Sequence, residues 1–158
     1  MTRSDRPMLI AALLLATTGL APLPALASAA DDLAAINQRR LKAFTEGNPD
    51  ALVADFTEDA VFTSLRATFR VEGKAAIRAF YAELFQESAQ RRSTSRQVAT
   101  RFYANETVAI SNGYSEVTLV DKAGVPHHYP TRFTLVYVKV DGRWLVAEYH
   151  NSATPGPY

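Results

Sequence analysis

A chain of 158 residues has room for one domain of roughly 100–200 residues, so a two-domain enzyme is not expected. Lys and Arg number 17 against 16 Asp and Glu, a formal charge of +1, and no basic block is dense enough to neutralise a run of phosphates, so nucleic acid is not an expected partner. With no cysteine, a thiol nucleophile, a cysteine-based zinc or iron–sulfur site, a disulfide framework and a lipobox attachment are all excluded.

At the N-terminus Arg3 and Arg6 precede an apolar run from Met8 to Ala16 that extends to Ala21. Small-residue cleavage sites follow at Ala25-Leu26-Ala27 and Ala27-Ser28-Ala29. Charge, apolar run and A-x-A in that order describe a secretory signal peptide over residues 1–29, leaving one domain over 30–158 in the periplasm or outside the cell. The run is too short for a spanning helix and Pro22 and Pro24 interrupt it, so no membrane association is expected after cleavage.

From Asp31, the residues Leu33, Ile36, Arg40/Leu41 and Phe44 recur at three- and four-residue steps and predict a first helix that stops at Gly47. Asn48-Pro49 supplies an N-cap and a first-turn proline for a short second helix through Leu52, Val53 and Phe56. Residues 59–65 read as a strand. Glu72-Gly73-Lys74 opens a third helix with Ile77, Phe80, Tyr81, Leu84 and Phe85 on one face. Four strands follow, over about 94–103, 107–120, 126–140 and 143–152, and the basic stretch Arg91, Arg92, Arg96 and Arg101 reads as a solvated rim.

Asp141-Gly142 suits a two-residue type I′ hairpin. That turn predicts the pairs Lys139 with Trp144, Tyr137 with Val146, Leu135 with Glu148 and Phe133 with His150, all on one face. Thr134, Val136, Val138, Leu145, Ala147 and Tyr149 fall on the other. Both faces are substantially apolar, unlike a sheet with one watery side. Helices can cover one, and a second subunit on the other predicts a homodimer through the outer face, where Arg132 would also lie. The apolar parity slips between Ile110, Tyr114 and Val117, Leu119, which predicts a bulge near Gly113.

The segments 56–62 (FTEDAVF), 73–77 (GKAAI) and 132–144 (RFTLVYVKVDGRW), continued to His150-Asn151-Ser152, resemble the NTF2-like superfamily. The likeness is nearest to its SnoaL-like branch and the relatives of the calcium/calmodulin-dependent kinase II association domain. The resemblance implies an α+β cone, with three N-terminal helices packed on a strongly bent, mainly antiparallel sheet. It is weak for activity, since the superfamily includes isomerases, polyketide cyclases, dehydratases, transport factors and oligomerisation hubs. The pocket arginines of the kinase hub fall here on Ser115, Leu135 and Asn151, so that basic pocket is largely missing. Isomerase and cyclase branches place an acidic base in the pocket, and which carboxylate here would take that place is open.

The predicted register puts Glu148, His150 and Tyr137 on the concave side. A carboxylate and an imidazole there would have their proton affinities drawn toward neutrality by burial, as acid–base chemistry next to a carbonyl requires. The alternative is a structural polar seam. Tyr81, Phe133, Leu135, Tyr137 and Trp144 are the candidate ligand-binding residues, although Tyr81 and Trp144 can equally be packing. Asp59 is either a turn residue or a carboxylate at the lip. His127-His128 point to opposite faces of a strand, so no metal site is expected, and no glycine-rich phosphate loop or G-x-S-x-G elbow suggests a cofactor or a serine nucleophile. Two functions follow as expectations. One is an exported protein that binds a small, mostly apolar molecule in the cone, with isomerase, cyclase or dehydratase chemistry open to it. The other is a non-catalytic oligomerisation module.

Overall fold

The computed structural model describes residues 28–155. The leader expected over residues 1–29 lies outside them except for Ser28 and Ala29, which begin the first helix. The Ser28 hydroxyl accepts the Asp31 N–H at 3.2 Å while the Asp31 carboxylate accepts the Ser28 N–H at 3.1 Å. This reciprocal capping box starts α1 (Ala29–Glu46). The helix ends where Gly47 turns left-handed at φ 69° and donates to the Ala43 and Phe44 carbonyls. Asn48 caps α2 (Pro49–Val53) by accepting the Ala51 N–H, with proline in the first turn.

The remaining elements are β1 (Phe56–Thr63), β2 (Val71–Glu72), α3 (Lys74–Glu87), β3 (Ser88–Tyr103), β4 (Val108–Asp121), β5 (Pro126–Val140) and β6 (Arg143–Ala153). They form one six-stranded sheet in the order β2-β1-β6-β5-β4-β3. β1 runs parallel beside β6 and every other pair is antiparallel. The helices pack on the inner face through Leu33, Ile36, Phe44, Ile77 and Tyr81, against Phe62, Leu135, Tyr137 and Val146. The architecture is thus the expected α+β cone with a mainly antiparallel sheet. The two-residue strand β2 was not expected.

Two of the sheet's register shifts bear on what its inner face carries. In β3 the register slips between Gln97 and Ala99, opposite Gly113 and Asn112, so the bulge predicted near Gly113 is carried by the facing strand at Val98. A Cβ on Gly113 would stand 2.2 Å from the Arg96 carbonyl and 2.9 Å from the Phe133 ring. In β6 the hairpin begins as predicted, with Lys139 opposite Trp144 and Tyr137 opposite Val146, and both turn residues have positive φ. The register then shifts by one, because Val136 pairs with Glu148, Leu135 with Tyr149 and Thr134 with His150. Ala147 is the extra residue, and everything beyond it has exchanged faces.

Arg91 departs from the expected solvated rim. It is half-buried, reaches the carbonyls of Phe85 and Ser88 at 3.3 and 3.4 Å, and lies 4.9 Å over the Phe85 ring. A cation on the last carbonyls of α3 complements the helix dipole and ties the helix to the strand that follows it. Arg92, Arg96 and Arg101 are exposed.

Gly113→Ala is expected to destabilise the fold by about 2 kcal/mol or more, because backbone atoms, which cannot rotate aside, occupy the new methyl's place. Gly142→Ala, at φ 78° with nothing within 4 Å, is expected to cost only about 1 kcal/mol of left-handed strain. Urea denaturation of both variants checks the order, and equal losses would contradict it.

Candidate functional site

Between the helices and the inner face lies a cavity of about 60 Å³. α1 contributes Arg40, Leu41 and Phe44, α3 contributes Phe80, Tyr81 and Leu84, and the sheet contributes Phe62, Ser93, Val117, Tyr129, Tyr149 and Asn151. Leu65 and Arg66, in the loop after β1, are exposed and also line it, so they mark the mouth. Arg66 spans that mouth, donating to the Tyr129 hydroxyl at 3.0 Å and pairing with Glu87 at 3.5 Å. The loop is held down by the Leu65 N–H, which donates to the Asn151 side-chain oxygen at 3.1 Å.

One wall is an aromatic stack. Tyr81 lies parallel to Phe62 with ring centres 5.3 Å apart, and Phe62 lies parallel to Tyr149 at 5.1 Å. Phe80 meets both Phe62 and Tyr81 edge-on. Offset stacks and edge contacts of this kind each add about 0.5–1.5 kcal/mol beyond area burial. The rings also present flat apolar surface to anything that enters.

Arg40 ends the stack. Its guanidinium carbon lies 4.2 Å over the Tyr149 ring, a cation–π contact at a half-buried position. Nη2 donates to the Asn37 oxygen at 3.2 Å, and the Asn37 amide in turn donates to the Ser95 hydroxyl at 3.1 Å, anchoring α1 to β3. The Nε–H is sealed from solvent without an acceptor among the described residues. No carboxylate among them lies within 4 Å of this guanidinium, whereas the exposed Arg39, Arg70 and Arg78 each pair with Asp or Glu.

Burial pushes the Tyr81 phenol far up from its ordinary value, with Tyr149 adding to the shift and Arg40 opposing it. Burial likewise raises Tyr137, opposed by Arg40. Both phenols therefore stay neutral at physiological pH and give Arg40 no negative partner.

Of the candidate catalytic and ligand-binding residues only Tyr81 lines this cavity, and of the positions matching the kinase hub's pocket arginines only Asn151 does. Phe133, Leu135, Tyr137 and Trp144 are buried on the inner face, as expected, but are absent from its lining. Trp144 packs on Phe102 with ring centres 6.0 Å apart, and the Lys139 ammonium lies 5.5 Å over its ring. Glu148 and His150 are a correction. The Ala147 bulge turns them to the exposed outer face and turns Tyr149 inward, reversing the predicted placement of all three. His150 sits instead beside Tyr114, Arg132 and Thr134 in a cleft of the outer surface. Asp59 is exposed on β1 away from the cavity. His127 and His128 pair separately with Asp121 and Glu116, and among the described residues no three His, Asp or Glu are placed to hold a metal. Arg40 is what sequence reasoning passed over. Its signal was a charged side chain standing four residues from both Ile36 and Phe44, inside an apolar stripe.

A family model for the SnoaL-like domain matches residues 33–156. The chain belongs to this family. Among solved structures, this SnoaL-like domain is similar to a Xanthomonas campestris protein named for a calcium/calmodulin-dependent protein kinase II association domain. That match has 25% identity and a TM-score of 0.71, covering 90% of this chain and 99% of that one. A Novosphingobium aromaticivorans protein named for scytalone dehydratase matches at 16% identity and TM-score 0.71, over 78% and 83% of the two chains. Another from that organism, named for an aromatic ring hydroxylase, matches at 21% and TM-score 0.72, over 79% and 88%. Comparison with curated proteins finds no match. Neighbours named for such different roles share the SnoaL-like fold and say nothing in common about its contents.

The neutral phenol of Tyr81 has a consequence for stability. A group whose folded pKa lies above its unfolded value of 10.0 favours the folded state at lower pH and loses that contribution as pH rises past the unfolded value. Tyr81→Phe is therefore expected to narrow the stability gap to wild type at pH 11 relative to pH 8, or to reverse it. Urea denaturation at the two pH values measures this, and an unchanged difference would show that Tyr81 ionises freely.

Proposed function

We propose that this SnoaL-like domain is an exported binding protein for a small, mostly apolar molecule held in the cone against the Tyr81–Phe62–Tyr149 stack. The observation that carries the reading is an apolar, ring-lined cavity with a mouth at Leu65 and Arg66 and a few convergent polar groups. Its size sets a limit, since pockets for drug-sized ligands run to roughly 300–1,000 Å³ and this one holds about 60 Å³. The occupant is a short chain or a single ring. The lining includes phenols, hydroxyls, an amide and guanidinium groups but no carboxylate or imidazole. That favours binding over proton abstraction, because a general base must lie within hydrogen-bond reach of the proton it takes. Export rests on the leader expected over residues 1–29.

Thermal unfolding with single-ring and short-chain compounds, both neutral and acidic, tests this. A ligand near a hundred times its Kd adds about 2.7 kcal/mol and raises Tm by roughly 5 °C or more. Ser93→Leu, which fills the cavity from the sheet side, is expected to abolish the rise. No stabilising compound for wild type, or a rise unchanged in Ser93→Leu, would refute the cavity as the binding site.

We propose also that the outer sheet face pairs with a second copy. Val98 and Tyr114 stand 61% and 57% exposed there, beside the half-buried Val108, Ile110, Val136, Val138 and Leu145. So much apolar surface on one face of a monomer marks an interaction site, and an isologous pair covers it with the fewest parts. Light scattering is expected to give a dimer mass, and Val136→Lys to shift it toward the monomer at micromolar concentration. A wild-type monomer at all concentrations would end the proposal.

A further inference from the structure

We propose that the ligand is a monoanionic carboxylic acid, its head held by the guanidinium of Arg40 and its apolar body laid along the Tyr81–Phe62–Tyr149 stack. This rests on the reading of the cone as a ligand site and adds the chemical class of the ligand.

The reasoning starts from an unbalanced charge. A cation taken from water into a closed site is strongly unfavourable unless it is paired and hydrogen-bonded. Arg40 lines the cavity, yet its partners among the described residues are the Asn37 amide oxygen and the Tyr149 side chain, neither of them a carboxylate, and its Nε–H has no acceptor. Burial keeps the Tyr81 and Tyr137 phenols neutral, so neither balances its charge. Arg66, the other cation of the lining, stands exposed at the mouth and already has Glu87. The unmet charge is therefore Arg40's, and it faces an apolar space.

The missing partner is then an anion that arrives with an apolar body. A planar carboxylate matches the guanidinium fork and carries one charge to its one. Asn37, held by Ser95, fixes the guanidinium from behind, so the head group meets a preoriented donor. Stacking of the guanidinium on Tyr149 places the body of a bound acid next to the same rings.

Calorimetry on the purified protein at pH 7.5 tests the class with benzoate, phenylacetate and hexanoate, each against its primary amide. At least one acid is expected to bind, with its amide weaker by about 30-fold or more. Arg40→Met is expected to lose the acid by a similar factor while its Tm without ligand holds or rises, since an unpaired buried charge has been removed. Arg39→Gln, one residue along the helix and paired outside with Asp55, removes the same charge and is expected to keep acid affinity within about threefold. If Arg40→Met does not fold, Arg40→Lys takes its place and is expected to keep the preference for acids with reduced affinity. Amides that bind as tightly as their acids, or an acid whose affinity survives Arg40→Met, would overturn the carboxylate and leave the cavity reading standing. Binding of neither acids nor amides would overturn both.

Discussion

The contents of the cone depend on one additional residue in β6. Side chains alternate across a strand, so a strand without a bulge would keep Trp144, Val146, Glu148 and His150 on one face. Ala147 interrupts that alternation opposite Val136 and Tyr137. Trp144 and Val146 point inward before it, and Tyr149 points inward after it. The bulge thus removes a carboxylate and an imidazole from the interior and installs a phenol in their place. It also puts Tyr149 beside Phe62 of the parallel strand β1, and the aromatic stack exists because of that contact.

The stack, in turn, organises the helices. Tyr81 brings α3 onto Phe62, and Arg40 brings α1 onto Tyr149. Each ring is shared between a packing role and the cavity wall, so the same contacts that hold the helices to the sheet also shape the space between them. The arrangement explains why the cavity is narrow. Four aromatic side chains and a guanidinium occupy the space between helices and sheet, and what remains is about 60 Å³.

Sequence patterning revealed most of this frame. The capped start of α2, the Asp-Gly hairpin and the slip near Gly113 are legible because each rests on local chemistry: an Asn48-Pro49 cap, two positive-φ turn residues, a break in alternation. The site was less so. Hairpin register was extrapolated correctly for two pairs from the turn and failed at the third, because a bulge at an alanine leaves no mark in composition. Ala147 is small and tolerated on either face, and an apolar run such as Leu145–Val146–Ala147 reads equally well in both registers. The two-residue strand β2 was too short for any periodicity to reveal.

Arg39 and Arg40 show what the fold does and does not require. They are the same residue type, adjacent in sequence, and about 100° apart around the helix. Arg39 projects to the surface and joins α1 to Asp55 through two hydrogen bonds from one side of its fork. Such a pair in water contributes little, but it needs no further justification. Arg40 points the other way, into the stripe defined by Leu33, Ile36 and Phe44. An apolar side chain of similar volume there would pack on Tyr149 without a desolvation cost, and substitutions of that kind are often neutral or stabilising. Folding alone therefore does not call for an arginine at position 40. At this half-buried position the guanidinium lies among aromatic rings, with no carboxylate within 4 Å among the described residues. The same helix face that closes the core thus carries a cation with no anionic partner among the described residues, its Nε–H without an acceptor.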